Sequence, residues 1–239
     1  MKLACTSDAC AHLFESGELT QLEFLDFCAH ESACESVVLD VRHFPRTDGD
    51  YLAQVKKMAV DLGLAIAAVA DDGFLVREDD AMEMHLGLAV ATGAPILVSK
   101  VATETTMSWS EALERINHAT GLAKASNVTL AVRNASGTFA ATELDYKRVS
   151  KEADSAWLRY AMDPAELDSA SSPEALVPKA VALCAGLDRS ESDAQAFLRR
   201  FDGFNGPLVL GGALLTRREI QSATRRWRTA LAMVQLNRT

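Results

Sequence analysis

The 239-residue chain has no apolar run approaching the roughly 20 residues that cross a bilayer, which argues against a membrane-spanning role. Its first residues, MKLACTSDACAHLF, lack the unbroken apolar core of a secretory signal, because Asp8 and His12 interrupt it. No C-x-x-C pair is present, and five cysteines (Cys5, Cys10, Cys28, Cys34, Cys184) would leave at least one thiol unpaired within the chain. These absences point to a reducing compartment, and the cytoplasm is the expected location. Positive charge is short as well: 24 Lys and Arg stand against 33 Asp and Glu, a formal net charge of -9. Such a surface repels phosphates, so neither nucleic acid nor a membrane is an expected partner. The arginines near the C-terminus (Arg217, Arg218, Arg225, Arg226, Arg228) read more simply as the solvated face of a helix than as a basic patch. A dinucleotide-binding G-x-G-x-x-G is missing after the first strand-like run, and Gly211-Gly212 is too short to replace it.

What is present is the balance of a packed globular protein, with 49% hydrophobic and 24% charged residues. Short aliphatic runs alternate with longer amphipathic ones, the pattern that βαβ units make in a parallel sheet. The strand-like runs are Leu3 to Cys5, Val37 to Leu39, Ala65 to Val69, Ile96 to Val98, Val128 to Val132, Trp157 to Ala161, Ala180 to Cys184 and Pro207 to Leu210. They are continuously apolar, as strands covered on both faces should be. Capping-box spacing at Thr20/Glu23, Ser108/Glu111, Ser192/Gln195 and Thr216/Glu219 marks helix starts, and Ser172-Pro173 marks another. The stretch Leu19 to His30 should bury Leu22, Leu25 and Ala29, and Asp50 to Leu62 should bury Leu52, Val55 and Ala59. No linker with a composition shift divides the chain. Eight units in about 250 residues predict one (β/α)8 barrel, an eight-stranded parallel sheet spanning 1–239 as a single domain.

The segment GELTQLEFLDFCAHESACESVVLDVRHFP from Gly17 to Pro45 resembles the start of xylose isomerase-like barrels, the sugar phosphate isomerase and epimerase type. The likeness continues through YLAQVKKMAVDLGLAIAAVA, ATGAPILVSK and NVTLAVRNASG and fades after about Asp168. In such a barrel the chemistry gathers where the strands end, because the βα loops there surround one mouth. That position selects Asp40 and His43 after the second strand, Asp71 and Asp72 after the third, and Ser99 and Lys100 after the fourth. It also selects Arg133 and Asn134 after the fifth, Asp163 after the sixth, Cys184 and Asp188 at the seventh, and Gly211 after the eighth.

The resemblance implies a divalent metal held by a Glu on strand five, an Asp on six, a His on seven and a Glu on eight. This chain departs from that set: Arg133 stands where the first Glu would be, strand seven offers Cys184 and no His, and Gly211 or Gly212 replaces the last Glu. Only Asp163 keeps its ligand type. A guanidinium stays protonated, donates only and repels a cation, so no metal and no other cofactor is expected. Arg133 is instead expected to occupy the metal's place and to pair with Asp163.

Lys100 and Arg133 read either as an anion site, with Asn134 and Asp72 beside them, or as internal ion pairs to Asp163, Asp40 or Asp72. His43 reads as an acid-base group or as a turn cap, and Cys184 as a core residue rather than a nucleophile, since no His is placed to activate it. His85 and His118 fall on exterior helices. Two functions follow. One is a metal-free binding barrel for a small polar or anionic carbohydrate-like ligand, a sugar or sugar phosphate. The other is an active isomerase or epimerase using Asp40, His43 and Asp163 as catalytic groups, with Lys100 or Arg133 polarising a carbonyl. Endonucleases for abasic sites share the barrel type, but the acidic balance and the missing ligands count against that role. Oligomeric state is not legible.

Overall fold

The structure, a computed structural model, describes residues 1–32, 34–168, 170–212 and 215–236. Eight strands run in chain order around a closed parallel barrel: β1 (Lys2–Thr6), β2 (Ser36–Asp40), β3 (Ala65–Ala70), β4 (Ile96–Lys100), β5 (Thr129–Arg133), β6 (Leu158–Met162), β7 (Ala180–Gly186) and β8 (Pro207–Gly211). The barrel closes where Lys2 registers with Pro207 and Cys5 with Leu210. Every strand expected from the sequence is present, displaced by no more than two residues at either end.

The helices are α1 (Ala11–Glu15), α2 (Gln21–His30), α3 (Gly49–Asp61), α4 (Asp79–Thr92), α5 (Trp109–Ala125), α6 (Glu143–Ala153), α7 (Glu191–Arg200) and α8 (Arg217–Leu236). Capping explains several starts. Reciprocal boxes form at Thr20/Glu23 and Ser108/Glu111. Thr216 and Glu219 also exchange bonds, the Thr216 N–H donating to Glu219 Oε2 at 2.8 Å. The expected Ser192/Gln195 box does not form; α7 starts two residues earlier, where Ser190 Oγ accepts the Asp193 N–H at 3.1 Å. A box with the shorter acid, Thr142/Asp145, opens α6. Ser172-Pro173 begins a 3-10 helix, Pro173–Lys179, and not an α-helix; Pro178 inside it removes a further backbone donor. The buried side of α3 is Tyr51, Leu52, Val55 and Ala59, as patterned. That of α2 is Gln21, Phe24, Leu25, Phe27 and Cys28, rotated from the expected Leu22, Leu25 and Ala29, because the bulkier Phe24 and Phe27 take the core.

Two apolar clusters result. The larger joins strand side chains such as Leu3, Leu39, Leu97, Leu130 and Leu208 to the helices. The smaller is drawn from the strands alone: Ala4, Val38, Ala68, Ile96, Val98, Ala131, Ala161, Ala182 and Val209, and it lies inside the barrel. Five of these nine are alanines, beside Val38, Ile96, Val98 and Val209, whereas barrels of this kind are filled mainly by branched side chains.

Candidate functional site

Parallel closure brings all eight strand ends to one rim. Lys100 ends β4, Arg133 ends β5, and the two are register partners. Both reach for Asp72, two residues past β3: Arg133 Nη2 donates to its carboxylate oxygens at 2.9 and 2.8 Å, and Lys100 Nζ lies 2.7 Å from Oδ2. The expected Arg133–Asp163 pair does not form. Asp163 Oδ1 is engaged by the Ala165 N–H at 2.9 Å, whereas Asp72 offers both oxygens and a second cation to share them.

Asp163 is fixed through its backbone. Asn134 Nδ2 donates to the Asp163 carbonyl at 2.8 Å, and the Asp163 N–H donates to Asn134 Oδ1 at 2.8 Å, lacing β5 to β6 just above the sheet. Asn134 is itself buried, and the Tyr146 hydroxyl lies 3.3 Å from its Oδ1. Burial pushes the Asp163 carboxyl above its ordinary value, and the Ala165 N–H offsets this only in part. A carboxyl raised in this way holds a proton to higher pH than a free aspartate does.

Lys100, Arg133, Asn134 and Asp163 line a cavity of about 340 Å³ that opens at the rim. Thr6, Asp8, Glu166 and Gly186 line it too and were not among the residues expected. Thr6 ends β1 and Asp8 lies two residues past it, so the strand-end rule applied to the other strands would have found them. Gly186 and Gly211 are register partners on the far side of the ring from Lys100 and Arg133. A β-carbon at Gly211 would stand 2.8 Å from Thr6 Cγ2, so glycine there keeps the opening wide. Cys184 also lines the cavity, with burial pushing its thiol up to about 12, a protonated and weakly nucleophilic state.

Asp40 and His43 are not among the lining residues. Asp40 is buried and its carboxylate is held by Arg42 through Nε at 2.9 Å and Nη2 at 2.8 Å. His43 places Nδ1 2.9 Å from Ser7 Oγ and stacks on Phe14 with ring centroids 4.2 Å apart; burial lowers its pKa. Asp71, also selected from the sequence, lies behind the mouth, buried against Arg77 and His85. His118 pairs with Asp79 on the exterior.

The Glu, Asp, His and Glu set that the resemblance implies is matched here by Asp163 alone. At or near the ends of β5 to β8 stand Arg133, Asp163, Cys184 and Gly211. Among the described residues no group of three or more His, Cys, Asp or Glu is placed to hold a metal. A catalytic site normally keeps about three protein ligands.

Solved structures share the architecture. A xylose isomerase domain protein from Alicyclobacillus acidocaldarius is 14% identical with a TM-score of 0.74, covering 98% of this chain and 99% of that one. D-psicose 3-epimerase with D-tagatose from Clostridium cellulolyticum H10 is 12% identical with a TM-score of 0.72, covering 99% of each chain. The IOLI protein with a binding zinc atom is 11% identical with a TM-score of 0.69, covering 98% of each. The chain therefore has the xylose isomerase-like (β/α)8 fold. Within that fold it is a divergent form, for no family model and no curated protein matches its sequence. No helix among the described residues is long and apolar enough to cross a membrane.

Proposed function

We propose that this barrel binds a small polar or anionic carbohydrate-like ligand at its mouth without a metal ion. One observation carries the reading: Arg133 and Lys100, register partners at the ends of β5 and β4, both line the cavity and share one carboxylate, that of Asp72. A guanidinium and an ammonium donate to ligand oxygens, while Asp8, Asp163 and Glu166 on the same lining offer acceptors to hydroxyls. Asn134 and Asp163 add polar contacts on the same wall. The names of structural neighbours, a D-psicose 3-epimerase and an L-ribulose 3-epimerase, agree with a sugar or sugar derivative.

The test is calorimetric titration of a panel of ketoses, aldoses and sugar phosphates against the wild type and Arg133→Met. Binding should weaken tenfold or more in the variant, in line with about 1.5–3 kcal/mol for a hydrogen bond to a charged group. A panel that binds both proteins equally, or neither, overturns the reading. One tightly held metal per purified chain would also overturn it.

The raised Asp163 carboxyl favours a second reading, metal-free isomerisation with Asp163 as the proton carrier. Turnover of a panel sugar that disappears in Asp163→Asn is its signature. The positions of Asp40 and His43 outside the cavity lining weaken it, because an acid-base pair must reach the same substrate.

A further inference from the structure

We infer that the ligand of this site carries a slender, unbranched apolar tail that lies along the barrel axis, beneath a polar head held at the mouth. The inference rests on the head-group reading above and adds the class of molecule. Its basis is the shape of the cavity. Ile96 and Lys100, the first and last residues of β4, both line it, and so do Pro207 and Gly211, the first and last of β8. The space therefore runs the length of the sheet. A five-residue strand rises about 13 Å, and at the usual barrel tilt this gives a shaft about 10 Å deep.

Below the rim the wall is Val38, Ala68, Val98, Ala161, Ala182 and Val209, with no side-chain donor or acceptor among these six. Sugar hydroxyls placed there would lose their hydrogen bonds to water and gain none, so the polar part of the ligand stays among Lys100, Arg133, Asn134 and Asp163. Water gains little either, since a stable buried water needs two to four polar partners. An unfilled apolar space destabilises a fold, and larger side chains at a few of these positions would close it. A hydrocarbon chain satisfies the shaft, and its narrow cross-section suits a ring of eight strands whose interior ordinarily holds only side chains. Straight-chain carboxylates have the required form, an oxygen-rich head for Arg133 and Lys100 and a tail for the alanines.

The experiment titrates butanoate through decanoate into the wild type, Ala182→Val, Ala182→Leu and Arg133→Met. In the wild type, affinity should rise about fourfold per methylene and then level off when the shaft is full. Ala182→Leu should level off at a shorter chain than the wild type. Affinity that does not depend on chain length, or long acids that bind Ala182→Leu as tightly as the wild type, overturns the inference. Thermal unfolding keeps the result decisive if the larger substitution fails to fold. An empty shaft predicts that Ala182→Val unfolds at or above the wild-type temperature, whereas a fall of several degrees would show a packed interior and refute the proposal. The two readings fail separately. Sugars or butanoate that bind through Arg133 with no gain from added methylenes sink the tail alone. A chain-length gain that survives unchanged in Arg133→Met sinks the head-group reading and leaves the shaft standing. No binding by any acid or sugar sinks both.

Discussion

Asp71 is the buried charge whose removal should be felt most. Its carboxylate accepts from Arg77 and lies 2.7 Å from His85 Nδ1, and its Oδ1 accepts the Gly73 N–H at 3.0 Å. Burial pushes the carboxyl up, but the His85 and Arg77 bonds, the Arg77 charge and the Gly73 N–H together outweigh it and hold the group down, from 3.8 to about 2. A carboxylate depressed that far contributes about 2.5 kcal/mol at neutral pH. The sign follows from the direction: the contribution is complete above the unfolded value and is lost as pH falls from about 4 to about 2. Asp71→Asn keeps the shape and removes the charge, so it should cost about 2–3 kcal/mol in urea unfolding at pH 7, or roughly 5–10 °C in Tm for a chain this size. The adjacent Asp72 holds Lys100 and Arg133, so loosening this turn should also weaken ligand binding. A loss below about 0.5 kcal/mol would refute the clamp. So would an Asn variant that loses stability between pH 4 and pH 2 as steeply as the wild type.

Three further outcomes are expected. Thr142→Ala removes the acceptor for the Asp145 N–H at the start of α6 and should cost about 1 kcal/mol by chemical denaturation, with no loss indicating that this box is idle. Tyr146→Phe deletes a buried hydroxyl that donates to the Val132 carbonyl at 3.1 Å and supports Asn134; about 1 kcal/mol should be lost, and ligand affinity should fall with it. Cys5, Cys10, Cys28 and Cys34 are buried, and burial raises the thiols of Cys28 and Cys34, so a disulfide reagent should label them only on unfolding. Fast labelling of any of these four in the native protein would contradict their placement.

The strands were legible because barrel strands are covered on both faces and appear as apolar runs bounded by polar turns. The site was legible as a set of positions and not as a set of bonds. Lys100, Arg133, Asn134 and Asp163 reach the cavity because strand ends in a barrel converge by topology. The partner of Arg133 was misassigned because Asp72 and Asp163 both sit at strand ends, and the choice turns on which oxygens remain free after local turns take theirs. Asp40 and His43 were drawn away by close neighbours, Arg42 and Ser7, whose side-chain directions a sequence does not disclose. The shaft was hidden for a related reason: runs such as AIAAVA announce burial but not which members face the axis, and the irregular register between Val37 and Val38 against β3 shifts that alternation.

The pairing of β1 with β8 also has a bearing on how the molecule is made. Lys2 meets Pro207 across 205 positions (207 minus 2), so the first strand has its partner on one side, β2, early and on the other only when nearly the whole chain is present. Until then both β1 and the latest strand to form expose unpaired backbone edges, the feature that invites wrong partners during synthesis. Contacts at such separation are slow to form because loop closure precedes their reward. Closure of the ring should therefore be a late step, and a chain shortened before β8 should be left with open edges and a strong tendency to aggregate.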